Sequence, residues 1–67
     1  MKGQIKYLNR LNRYGFLKED HSDCEYYFRF DQVRYENFKE GNSVEFDVRP
    51  SRTRDSNYLE SYNILKL

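Results

Sequence analysis

Residues 12–17, Asn12-Arg13-Tyr14-Gly15-Phe16-Leu17, set a glycine between two aromatic residues in a run that otherwise reads as a strand. Successive side chains of a strand point to opposite faces, so Tyr14 and Phe16 share one face while Gly15 and Leu17 share the other. A glycine inside a strand packs nothing and weakens it, and it usually marks a bulge, a sharp bend or a close approach by another group. The aromatic face is therefore either core or a displayed platform, and the flanking sequence has to decide between the two.

Working outward, residues 2–9 (KGQIKYLN) alternate as a first strand, with Ile5 and Tyr7 expected on one side and Lys6 and Leu8 on the other. Residues 10–13 form a polar turn, the second strand runs from Tyr14 to about Lys18, and EDHSD is an acidic turn. The run Cys24–Phe30 (CEYYFRF) is rich in strand formers, with Cys24, Tyr26, Phe28 and Phe30 alternating against Glu25, Tyr27 and Arg29. Residues 31–37 break the alternation and predict a short irregular or single-turn segment anchored by Val33. After a turn at Glu40-Gly41-Asn42, SVEFDVRP alternates strictly, with Val44, Phe46 and Val48 inward, and Pro50 ends that strand. Residues 51–57 read as a loop, and YLESYNILKL supplies a last strand with Ile64 buried. Five short strands and no helix of useful length predict an all-β chain, a small closed or nearly closed barrel, because closure removes sheet edges.

Sixty-seven residues make one domain spanning 1–67, with room for only a modest core. Aromatic residues are 18% of the chain, with seven Tyr, five Phe and no Trp, more than a minimal core holds, so part of that set is expected on display. The net charge of +1 excludes a generic polycation, yet Lys2, Lys6, Arg10, Arg13 and Lys18 precede the first acidic residue, Glu19. A balanced total conceals a locally positive face. Cys24 is the lone cysteine, expected as a small buried side chain, and with His21 it supplies too few ligands for a structural metal site, so no metal or other cofactor is expected. No apolar run has the length of a membrane span or the form of a signal peptide, which makes a cytoplasmic setting the default. One His, one Cys and no convergent acid–base pair argue against an enzyme and against a small-molecule substrate.

The chain resembles the cold-shock domain family. KGQIKYLN is similar to the family's opening Lys-Gly-x-Val-Lys-Trp-Phe-Asn, and NRYGFL to its first nucleic-acid motif, Lys-Gly-Phe-Gly-Phe-Ile. EYYFRF resembles the second motif, Asp-Val-Phe-Val-His-Phe, KEGNSVEFDV the Glu-Gly-x-x-Val-x-Phe strand, and SYNI the closing Ala-x-Asn-Val. The order is the same over nearly the whole chain. The resemblance implies an OB-fold, a five-stranded antiparallel Greek-key barrel that binds single-stranded RNA or DNA. Tyr7 stands where the family usually has Trp, Arg29 where it has His, and Arg13 replaces the first Gly of the first motif. Tyr35 is a candidate for a further loop aromatic, and Arg49, Arg52 and Arg54 sit in a longer loop.

On this resemblance the expected nucleic-acid-binding residues are Lys6, Tyr7, Asn9, Arg13, Tyr14, Phe16, Tyr27, Arg29 and Phe30. Tyr7, Tyr14, Phe16 and Tyr27 form a stacking platform, because every base has a π-face, and the cations contact phosphates or stack on bases. Asn9 fits a turn contact better than a base contact, and Phe30 fits the core nearly as well as the surface. Phe28 stands where the family has a β-branched residue, and its extra volume calls for relief elsewhere, Leu17 and Cys24 being the candidates. The expected function is non-catalytic single-strand binding of low sequence specificity, as in an RNA chaperone or regulator, by a monomer in preference to a dimer. The alternative is a small barrel with little nucleic-acid affinity whose Tyr and Arg dock proteins.

Overall fold

The computed structural model describes residues 1–50 and 59–67. Its strands are β1 (Lys2–Asn9), β2 (Tyr14–Glu19), β3 (Glu25–Arg29), β4 (Ser43–Pro50) and β5 (Leu59–Lys66). A single 3-10 turn, Phe30–Gln32, follows β3, and Val33 bridges to Ile64 just beyond it. The strands close into a barrel in the order β1-β2-β3-β5-β4, with β4 pairing back onto β1. The expectation of antiparallel pairing throughout is corrected at one seam, since β3 and β5 run parallel at Tyr27↔Glu60. The reason is arithmetic: a closed ring with an odd number of strands cannot alternate direction at every neighbour. No helix among the described residues is long and apolar enough to cross a membrane.

The core is Ile5, Leu17, Tyr26, Phe28, Val44, Phe46 and Ile64, drawn from all five strands, with Leu8, Phe30, Val33, Tyr35, Phe38 and Val48 packed around it. Burial of each such side chain contributes about 1.5–3 kcal/mol. The inward alternation of β3 and β4 follows the sequence pattern, Tyr26 and Phe28 on one strand and Val44 and Phe46 on the other. Cys24 is a correction: it is exposed, one residue short of β3, where its backbone N–H donates to Ser22 Oγ at 3.0 Å. The core at that end is filled instead by Tyr26, whose hydroxyl donates to Glu19 Oε1 at 3.0 Å.

Two bulges set the faces. In β1 the register passes from Ile5↔Leu17 to Tyr7↔Phe16, which leaves Lys6 as an extra residue. Ile5 and Tyr7 therefore do not share a side: Ile5 is fully buried and Tyr7 lies outside. In β5 the register against β4 passes from Glu45↔Leu65 to Asp47↔Tyr62, so Asn63 and Ile64 oppose Phe46 alone. Asn63 takes the left-handed conformation there, with φ of 53°, as asparagine does more readily than most residues.

Candidate functional site

Lys6 in its bulge puts Tyr7 in line with Phe16 on β2 and Tyr27 on β3, and the next outward row is Asn9, Tyr14 and Arg29. Between them Leu8, Gly15 and Phe28 form an inward row. Residues directly opposite on neighbouring strands sit close enough for their side chains to touch, so the two outward rows bring four rings together. Tyr14 lies 6.3 Å from Tyr7, 6.0 Å from Phe16 and 5.6 Å from Tyr27 between ring centroids. Phe16 lies 6.3 Å from Tyr7 and 6.1 Å from Tyr27. These separations are those of mutually packed aromatics, and the cluster still meets solvent, most of all at Tyr7.

Gly15 answers to a close approach. A Cβ there would stand 2.4 Å from the carbonyl oxygen of Tyr7 and 2.8 Å from Cζ of Phe28. The ring of Phe28 thus occupies the space that a side chain on the opposing strand would have claimed. The relief for its extra volume is at Gly15, not at Leu17 or Cys24.

The turn beside the rings is built by Asn9 and Arg13. Asn9 Oδ1 accepts the backbone N–H of Asn12 at 3.0 Å, and Asn9 Nδ2 lies 3.4 Å from the Tyr14 hydroxyl, so its contacts are local. Arg13 holds φ of 59°, the left-handed region, and its carbonyl accepts the N–H of Phe30 at 3.1 Å. The arginine therefore takes a backbone conformation that glycine adopts without steric cost, and its side chain stays exposed.

The expected cations separate into two groups. Lys6, Arg13 and Arg29 are exposed around the rings, and Lys18 continues the outward side of β2. Arg10, also exposed, turns toward Phe38 and donates to its carbonyl at 3.3 Å. Arg49 is committed elsewhere: its Nε lies 2.9 Å from Oε1 of the buried Glu60, and its guanidinium sits 4.4 Å over the Tyr62 ring. Arg52 and Arg54 lie outside the described residues.

Phe30 is half-buried, stacked on Phe28 at 6.4 Å and edge-on to Phe38 at 4.9 Å. Tyr35 does not join the platform; it packs beside Phe38, its hydroxyl donates to Asn42 Oδ1 at 2.9 Å, and burial raises its pKa. Two residues outside the expected set come to the site, Asn12 of the β1–β2 turn and Asp31. Asp31 lines a shallow hollow with Arg13, Tyr27, Arg29 and Phe30. Its one sequence signal is its place directly after Phe30 at the break in the strand pattern. Comparison with models of known protein families finds no family that matches the chain, and comparison with curated proteins finds no match.

Proposed function

We propose that the chain binds single-stranded RNA or DNA on the outer face of β1, β2 and β3, as a cold-shock-like domain with the OB-fold's Greek-key barrel. The observation that carries this is the cluster of Tyr7, Tyr14, Phe16 and Tyr27 on one face, ringed by Lys6, Arg13 and Arg29. Bases stack on such rings at about 1–3 kcal/mol each with little regard to sequence, and cations along the path neutralise phosphates. The closed five-strand barrel suits the role, because OB-folds bind oligonucleotides on their strand 2–3 face. By holding unpaired bases the protein shifts duplex equilibria toward single strands through mass action, the action of an RNA chaperone in the cytoplasm.

The test is fluorescence anisotropy with a labelled single strand of about seven nucleotides, a length within the site size of one OB-fold, against its duplex at two salt concentrations. Preference for the single strand, weakening with salt at a slope of about −0.7 per phosphate neutralised, is the expected result. Absence of binding at low salt overturns the proposal and turns the search to protein partners of the same aromatic face.

A further inference from the structure

We propose that the hollow beside Tyr27 reads a base, that the base it selects is guanine, and that Asp31 makes the selection; this rests on single-strand binding by the aromatic face. Arg29 Nη2 and Asp31 Oδ2 stand 3.9 Å apart, and the two side chains are 63% and 61% exposed. A charge-assisted hydrogen bond spans about 2.7–2.9 Å, so neither group is consumed by the other. A cationic donor and an anionic acceptor are left side by side, open to solvent.

The backbone from which they extend is held by the residue between them. Phe30 is pinned by Phe28, by Phe38 and by its N–H to the Arg13 carbonyl. Arg29 ends β3 in register with Tyr14, and Asp31 sits in the 3-10 turn.

The carboxylate decides what the hollow takes. It is an acceptor only and repels phosphate, so the partner at Asp31 presents N–H or O–H donors, and a base edge with two adjacent N–H groups fills both carboxylate oxygens where a ribose hydroxyl fills one. Unpaired strands expose the Watson–Crick edges of their bases. Guanine alone has an acceptor, O6, followed by two neighbouring donors, N1–H and the exocyclic amino group. Arg29 donates to O6, and the Asp31 carboxylate accepts both N–H groups. Arg13, on the same hollow, is the residue type that most often pairs with the O6 and N7 acceptors of guanine. Uracil has one donor flanked by two oxygens, so an oxygen would face the carboxylate. Adenine has an unprotonated nitrogen where guanine has N1–H, and cytosine presents one amino group beside two acceptors. The Tyr27 ring on the hollow's wall supplies the stacking face.

The test is anisotropy of the full chain at low salt with three labelled strands. One is a uridine strand of about seven nucleotides; the others carry a single central guanosine or a single central inosine, which is guanosine without the exocyclic amino group. The wild-type chain is expected to bind the guanosine strand more tightly than either other strand, by about five- to a hundredfold. Asp31→Ala and Asp31→Asn, at an exposed position, are expected to bring guanosine and inosine together while uridine binding holds or improves. Equal wild-type affinity for guanosine and inosine overturns the selection by Asp31, as does a gap that survives in both variants. Failure of all three strands to bind overturns the single-strand reading itself, and the selection with it.

Discussion

The ring of Phe28 fills the space in front of Gly15, its cross-strand partner, with Cζ 2.8 Å from where a Cβ would stand. Gly15→Ala therefore forces its methyl into both that ring and the Tyr7 carbonyl. The expected destabilisation is about 1–3 kcal/mol, the range for overpacking a filled core, read as a lower urea midpoint. Unchanged stability would mean that the β1–β2 pair moves apart without cost.

Lys6 is the unpaired residue of the β1 bulge, and the pairs on either side of it are in consecutive register on β2. Lys6→Ala is expected to change stability by no more than about 0.5 kcal/mol, as exposed substitutions usually do. Deleting the residue makes Ile5 and Tyr7 consecutive, and consecutive strand residues point to opposite faces, so the pairs Ile5↔Leu17 and Tyr7↔Phe16 run on without a bulge and both side chains keep their sides. Cooperative thermal unfolding kept by the deletion as well as by the alanine variant is the expected result, and its loss in the deletion alone would mean that the bend of the bulge is needed to close the barrel.

Tyr14 touches all three of the other platform rings. Tyr14→Ala is expected to cost about 1–3 kcal/mol of single-strand binding with an unchanged far-ultraviolet circular dichroism spectrum. Collapse of the fold together with binding would make the ring structural, and the platform assignment would fall.

Glu60 is buried on the strand next to Tyr27, and Arg49 is its partner at 2.9 Å. Arg49→Ala leaves the carboxylate out of water without its cation. Breaking a fully buried pair costs about 3–5 kcal/mol, and the partial exposure of Arg49 puts this one at about 3 kcal/mol or below. Chemical denaturation of the variant checks it, and Arg49→Ala together with Glu60→Gln is expected to recover part of the loss.

Tyr26 gives the alkaline behaviour its sign. Burial first, then the hydrogen bond to Glu19, pushes its pKa from 10.0 to about 12. Below the unfolded value both states keep the proton and nothing is lost. Between about pH 10 and 12 the unfolded chain gives it up first, so stability falls as pH rises through that window. Urea midpoints measured across the window are expected to decline less steeply in Tyr26→Phe than in the wild-type chain.

Much of this was legible in the sequence because period-2 alternation reports faces directly. Tyr26, Phe28, Val44 and Phe46 are buried where their strands placed them. Alternation put Tyr14 and Phe16 on one face without saying whether it was core or surface, and only the cold-shock resemblance set them outside with Tyr27, where they lie. The bulge at Lys6 was not legible, since an inserted residue breaks the period that would announce it. Cys24 was placed inside by extending the alternation one residue beyond the start of β3. The parallel seam could have been deduced, because five strands in a closed ring require one. Asp31 escaped notice because its neighbours are set by a turn after the last regular residue, where no periodicity operates.

The seam between β3 and β5 has a consequence for the order of assembly. Tyr7, Tyr14, Phe16 and Tyr27 all belong to β1–β2–β3, a meander joined by short turns, so the platform forms from contacts close in sequence. The seam joins Tyr27 to Glu60, with Ser61 Oγ donating to the Tyr27 carbonyl at 3.2 Å across 34 positions. Contacts of long sequence separation cost more loop entropy and form more slowly. A growing chain thus completes the face that carries its rings before the strand that shuts the barrel behind them has arrived.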